Sequence, residues 1–475
     1  MGVFYNAGET KIRPGVYQRY TNRGTSPTVS AQDGLCAIPI KATWGPLASV
    51  VKNTRASQLI ENYGDGTYAS TTYTVPAATA LFDGGASTVY TYRLGTGGTA
   101  ASLKIEENKL TITAKYVGTF PISVSIAEKI GDSTTKVISV YANSSLVETF
   151  EFAADGTTEG ANLVAAVADS EYIGITMTTE PETVSALAVA SGALAGGVNP
   201  TVSNTDYSNA FEAFEPYFYN TITLDVDDDA NMTLSLLLQA YLDEAYTYGK
   251  LAIAVVGEKT SVTFSNRIQH AKAFNDAKVV YLGGGFMAGT VSKDGWYAIC
   301  YTAGLIAATP SNQGITHTTV SGATALCESL TYEQYETAIT SGMLMLSMSN
   351  DGSIWYDSGI NTLTSLASNE DEGWKKIRRV KVRFEMLTRI DNTLAPKVGK
   401  ISADSDGVAD VIQSAQRVLN TMADSEGKLQ PGPTIFEDPD NPYNADSAWF
   451  IIQADDIDSL EKIYLQYQFR YSQNS

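Results

Sequence analysis

Two short apolar stretches, 251–256 and 279–282, limit the folds open to this chain more than anything else in its sequence. A strand with water on one side alternates apolar and polar positions, whereas one that is apolar throughout must be covered on both sides. Helical patterns surround them. Leu234, Leu237, Leu238, Tyr241, Leu242 and Ala245 recur at helical spacing, and 262–275 and 294–308 read as further helices. Apolar strands alternating with helices predict a parallel sheet with helices on both faces. Thr331 and Gln334 then form a capping box, and Gly342 stands where that helix stops. Asn350-Asp351-Gly352 turns 343–348 into 353–356 as a hairpin.

The first part of the chain carries the same texture. An apolar run at 36–40 is closed by Trp44-Gly45-Pro46, helices are expected at 54–62 and 76–82, and a strand at 89–94. The pattern changes at the Gly-rich segment 95–98. From there to a second Gly-rich segment, 192–197, the sequence is rich in Thr, Ser and Val with period-two alternation. Strands are expected at 110–116, 121–130, 137–141, 146–152 and 172–178, with one short helix at 161–168, which describes a β-sandwich. After 365 come a basic strand at 377–384, helices near 384–394 and 407–423, and strands at 448–453 and 462–471. At 475 residues the chain exceeds one ordinary core. The expected fold is multidomain α/β: an extended arm at 1–20, a core from 21–98 and 201–365, an inserted β-sandwich domain at 99–200, and an α+β C-terminal domain at 366–475 that ends in a strand.

Little in this sequence supports chemistry. A net charge of −20 repels nucleic acid and anionic membrane. No basic segment leads into an apolar one at the start, and about 18 apolar residues never run together, so neither a signal peptide nor a spanning helix is expected. Cys36, Cys300 and Cys327 read as buried, reduced thiols of a cytosol-made protein. His270 and His317 have no Cys or His at ligand spacing. Gly283-Gly284-Gly285-Phe286-Met287-Ala288 fits a loose dinucleotide pattern, but residues 289–295 do not open a helix, so a strand-end turn is expected. Asp225, Asp227 and Asp229 begin like a calcium loop, yet Ala230 and Leu236 occupy its glycine and glutamate positions. A solvated helix start is expected there. The cations Lys375, Lys376, Arg378, Arg379, Lys381 and Arg383 read either as a solvated strand face or as a contact for an acidic protein surface, such as that of another protein or a neighbouring copy. Catalytic residues, metal ligands and cofactors are therefore all read as none.

Several segments together resemble one family. Arg13-Pro14-Gly15-Val16-Tyr17, Ala42-Thr43-Trp44-Gly45-Pro46, and Leu81-Phe82-Asp83-Gly84-Gly85-Ala86 with its adjoining strand come in the order seen in tail sheath proteins of contractile phages, bacteriocins and related injection systems. Gly359-Ile360-Asn361-Thr362-Leu363-Thr364, Trp374-Lys375-Lys376-Ile377-Arg378-Arg379-Val380 and Val398-Gly399-Lys400-Ile401 continue the likeness. The resemblance covers about 1–95 and 200–475. It implies a subtilisin-like α/β core without protease activity, and helical self-assembly around a tail tube protein. It also implies baseplate and tail terminator partners, and assembly in a bacterial cytoplasm into a virion tail or phage-tail-like particle. Both termini would act as arms between subunits, Val3, Phe4, Tyr5, Val16 and Tyr17 in one, and Ile463, Leu465, Tyr467, Phe469 and Tyr471 in the other. Two other classes stay open: an α/β hydrolase or nucleotide-dependent enzyme with a carbohydrate-binding sandwich, and a non-contractile adhesin.

Overall fold

The computed structural model describes residues 33–65, 72–106, 109–177, 184–368, 370–444 and 446–469, and the backbone of 3–4 and 17–18. Its first α/β portion holds β1 (Leu35–Ile40), β2 (Val50–Asn53), α1 (Ala56–Tyr63), α2 (Val75–Asp83) and β3 (Thr88–Arg93). β3 runs parallel to β1 along its full length, and β2 pairs antiparallel with β3 at the edge.

The middle segment comes next, with β4 (Ser102–Ile105), β5 (Leu110–Ala114), β6 (Ile122–Lys129), β7 (Asp132–Ala142), β8 (Ser145–Ala153), α3 (Glu159–Ala166), β9 (Ile173–Met177) and β10 (Ala190–Ala193). Two antiparallel sheets form, β8-β7-β6-β10 and β9-β5-β4. Ile112, Val124, Val140 and Ile175, inward residues of the two sheets, share one apolar cluster with Leu163 of α3. Asn143 and Ser144 both take positive φ, as the tight β7–β8 turn requires. β4 and β10 have no clear signature in the sequence because each is only four residues long.

The chain then returns to the first sheet. It adds α4 (Asn204–Ala213), β11 (Thr221–Thr223), α5 (Thr233–Thr247), β12 (Ile253–Gly257), α6 (Phe264–Phe274), β13 (Val279–Leu282), α7 (Trp296–Ala308), α8 (Tyr332–Thr340) and β14 (Met343–Leu344). The sheet order is β14-β13-β12-β11-β1-β3-β2, parallel except for β2. Residues far apart in sequence thus meet at the β11–β1 seam. Cys36, Ile38, Val255 and Val280 face α2 and α7, while Ala37, Ala254, Val279 and Tyr281 face α4, α5 and α6. Covering on both sides is why these strands are apolar at every position, each large side chain contributing about 1.5–3 kcal/mol on burial. α2 and α7 touch backbone to backbone: a Cβ on Gly304 would lie 2.1 Å from the Leu81 carbonyl oxygen, and one on Gly84 the same distance from that of Tyr301.

Beyond the sheet lie α9 (Ile377–Leu394), α10 (Ser405–Asn420) and the antiparallel pair β15 (Thr434–Glu437) and β16 (Phe450–Gln453). Val382, Ile390, Val418, Leu419 and Ile435 form their core. The basic strand expected at 377–384 is instead the first half of α9, a single 18-residue helix. Val380, Val382 and Phe384 alternate with Lys381 and Arg383, which imitates a strand, but Lys381 between them is buried too.

Candidate assembly surface

α9 and the residues leading into it turn their cations inward. Lys376 pairs with Asp458 at 3.0 Å and with Glu461 at 2.7 Å. Asp456 takes Arg379, whose second bond measures 2.9 Å, and Arg383 at 3.0 Å. Arg383 also reaches Asp371 at 2.9 Å and lies 4.5 Å from the Trp374 ring centre. Arg378 donates to Ser459 Oγ at 3.1 Å, and Lys375 meets Glu372 at 3.0 Å. Lys381 is buried and donates to the Ile306 and Thr309 carbonyls at the end of α7, where the helix dipole favours a cation. Burial pushes its pKa down to about 8. Burial also raises Asp456, but hydrogen bonds from Arg379 and Arg383 outweigh this and hold its carboxyl below the usual range. The expected solvated strand face does not exist; all six cations have partners inside the chain.

These pairs clamp the segment after β16. Leu429 bridges Asp456, Gln430 N donates to the Asp455 carbonyl at 2.7 Å, and Ile457 N donates to that of Lys428 at 3.0 Å. Glu461 closes the clamp by accepting from Thr316 Oγ1 at 3.0 Å. Past it the chain changes character. Residues 462–469 are exposed and form no strand with any described residue, contrary to the strand expected at 462–471. The physical reason is that a strand needs a partner for its ladder, and none of the described residues pairs with this segment. Ile463, Leu465, Tyr467 and Phe469 are 69, 69, 72 and 93% exposed, and the last two rings stack on one another. Tyr471 lies outside the described residues. At the other terminus Val3–Phe4 pairs in parallel with Tyr17–Gln18, while Tyr5 and Val16 lie outside the described residues.

The β15–β16 pair has two outer edges of unequal condition. On β15 the Gln416 side chain takes the place of a strand: its amide nitrogen donates to the Pro433 carbonyl at 2.7 Å and its oxygen accepts from Ile435 N at 3.1 Å. On β16 no strand among the described residues pairs with the outer edge. Trp449, Tyr443 and Phe436 around it are partly exposed.

The enzyme-like features resolve into packing. β13 runs into Gly283-Gly284-Gly285 and then a short hairpin, Phe286–Ala288 with Val291–Lys293, so no helix N-terminus meets the glycines. A Cβ on Gly283 would stand 2.4 Å from Met343 Sδ. His270 Nδ1 lies 2.7 Å from Glu258 Oε2, which also accepts from Tyr281, and His317 stacks on Trp355 with ring centres 4.1 Å apart. The solvated helix start expected for the aspartates needs correction. Asp225 is fully buried, 3.1 Å from Lys41 Nζ and bonded to Tyr207, because it pins β11 to β1. Asp227 receives Trp296 N at the start of α7, and only Asp229, with Asp228, caps α5. Cys36 and Cys300 are buried, burial pushing the Cys36 thiol up to about 12, but Cys327 is half-buried rather than buried as expected.

One junction shows little sign of itself in the sequence. Trp44, from the first α/β portion, is buried in the cluster of the two middle sheets, 5.0 Å from the Tyr116 ring and 5.9 Å from that of Tyr172. Arg93, also fully buried, donates to the carbonyls of Ala42, Gly45 and Val117. Thr96 and Thr99 bridge Thr201 and Val198, tying the way into the middle segment to the way out. A buried strand ending in arginine, beside a Trp-Gly pair, was the available signal.

Residues 201–360 match the family model described as the phage tail sheath protein central domain. The uncharacterised protein YqbK of Bacillus subtilis is 24% identical, the match covering 99% of this chain and all of that one. A sheath tail protein of Listeria innocua shares the fold with a TM-score of 0.70 at 18% identity, over 90% of this chain and 96% of that chain. The helical sheath of the anti-feeding prophage in its contracted state matches with a TM-score of 0.54 at 11% identity, over 97% of this chain and 99% of that chain. The chain has the mixed α/β fold of tail sheath structures, and its resemblance to sheath proteins, read from sequence, is met by the family model and by the fold.

Proposed function

We propose that this chain is the sheath subunit of a contractile phage tail or related injection particle. It polymerises helically around a tail tube, between a baseplate and a terminator, and contracts to drive that tube into a target envelope. The core in this reading is a subtilisin-like plan without protease chemistry, and 99–200 is an accessory β domain mounted on it. One observation carries the proposal: an apolar, exposed segment at 462–469 with no strand partner among the described residues, in a chain that also holds an open edge on β16. Unpaired apolar strand in a monomer is an aggregation hazard; in a polymer it is a joint. A contact between different surfaces of identical copies does not close on itself and builds a helical tube. Ladder hydrogen bonds hold such copies together while short linkers turn, so contraction is mainly rigid-body movement.

Negative-stain microscopy of the purified chain, alone and with its tube protein, tests the reading. Hollow striated tubes or coated tubes are expected. Deleting 462–475 should abolish them and leave the thermal unfolding midpoint unchanged, since the clamp ending at Glu461 stays intact. Tubes from the shortened chain would remove the arm, and monomers from the full chain under both conditions would remove the sheath.

A further inference from the structure

One stretch that carries the likeness to sheath proteins is turned away from the molecule that holds it. Val398-Gly399-Lys400-Ile401 belongs to the connection between α9 and α10. Val398 is 80% exposed, and a Cβ on Gly399 would stand in open space. Lys400 is exposed as well; its ammonium donates to the Pro396 carbonyl of its own turn at 2.7 Å, and no carboxylate among the described residues pairs with it. The turn is held firmly all the same. Lys397 pairs with Asp410 of α10 at 2.7 Å, and a Cβ on Gly407 would lie 1.9 Å from the Ser402 carbonyl oxygen. A fixed knob, apolar and cationic, thus faces solvent.

The same helix borders a hollow of matching chemistry. Against about the first three turns of α9, between the end of α5 and the 454–456 segment, lies a groove of about 320 Å³. Tyr246, Trp374, Met386, Leu387 and Leu429 give it an apolar lining. Leu387 and Tyr246 are 42 and 39% exposed, so much of that lining is uncovered. Asp371 and Asp456 in the groove are matched by Arg383 and Arg379. Asp455 beside them is exposed, and its carboxylate pairs with no described residue. Aromatic and aliphatic walls with one carboxylate to spare suit an ammonium on an aliphatic stem. Knob and groove of one chain do not meet, because about two turns of α9, residues 388–394, lie between them.

We infer that the α9–α10 turn of one copy seats in the α9 groove of a second copy, Val398 against the apolar lining and Lys400 against Asp455. This rests on the sheath reading and adds a joint made by the folded body, separate from the terminal segments. A second copy is the occupant because the two surfaces are different faces of one chain, carry opposite unpaired charges, and are fixed relative to each other by a single helix. Such a head-to-tail contact repeats from copy to copy instead of pairing two and stopping. An exposed ion pair contributes little to affinity, so burial of Val398 holds the joint and the charges set its register.

Sedimentation of the full chain, with negative-stain microscopy to identify tubes, tests the joint. Val398→Asp should cut the pelleted fraction about tenfold and leave the thermal unfolding midpoint unchanged. A lowered midpoint would show that the turn packs in its own chain, which overturns the inference. Lys400→Glu and Asp455→Lys should each weaken assembly, and the two together should restore it. Val398→Cys with Leu387→Cys should give a ladder of covalent multimers when assembled tubes are oxidised, and neither single variant should. Wild-type yields from Val398→Asp and Lys400→Glu, with no ladder, would overturn the joint and leave the sheath standing. Absence of tubes from the wild type would overturn both.

Discussion

Residues 454–461 and 462–469 are adjacent, similar in length, and opposite in condition. The first segment is acidic, and Asp456, Asp458, Ser459 and Glu461 along it meet Lys376, Arg378, Arg379 and Arg383. The second is apolar at alternate positions and touches nothing that would shield it. Charge found its complement within the chain; the apolar alternation did not. The contrast teaches that the boundary between body and arm is electrostatic, falling where the last carboxylate, Glu461, meets Lys376 and Thr316. A domain edge of this kind leaves no glycine or proline to mark it.

The largest way to break the contrast is Asp456→Ala. It strands Arg379 and Arg383 in a partly buried site and should cost about 3 kcal/mol in urea unfolding, releasing the clamped segment. Because the carboxyl is held below its usual pKa, its contribution is present above about pH 3.9 and fades as pH falls through the lower folded value. Wild type and variant should therefore converge in strong acid, and a constant gap would assign the loss to packing instead.

Lys381 sharpens the same comparison from inside α9, where Asp33, Glu385 and Lys428 are among the charges that act on it. With a folded value of about 8 and an unfolded one near 10.4, the unfolded chain binds more protons between them. Stability should rise with pH across that window, by at most about 1.4 kcal/mol per unit, and Lys381→Met should flatten the rise. A wild-type profile without slope there would mean that burial does not disfavour the charged lysine. Smallest is Tyr467→Ser in the arm, expected to change monomer stability by under about 0.5 kcal/mol. A larger loss would show that the arm packs on its own body after all.

Much of the α/β portion was legible because its strands are buried on both faces, and burial of that kind writes itself into consecutive residues. The capping box at Thr331 and the turn at Asn350-Asp351-Gly352 were legible because each depends on residues only a few positions apart. α9 was not. Its Val380-Lys381-Val382-Arg383-Phe384 stretch alternates like a strand, and only partners elsewhere make burial of Lys381 and Arg378 tolerable. The arm residues stand out by their pattern, but their exposure is a property of what the rest of the chain fails to offer. Gln416, Trp44 and Arg93 gave no strong local sign of closing an edge or joining two portions.

By itself, then, the sequence determined the alternation of helix and strand, the helix stops and turns, and the acidic balance of the chain. Each of these depends on residues within a few positions of one another or on simple composition. Tertiary structure alone decided which cations were spent inside the molecule, which sheet edge stayed open, and where the arm begins. The pairs that settle those points, such as Arg379 with Asp456 and Lys376 with Glu461, lie 77 and 85 residues apart. No local period encodes them, because electrostatic and ladder partners are selected by distance in space, and the packing of α9 and α10 with the β15–β16 pair sets those distances.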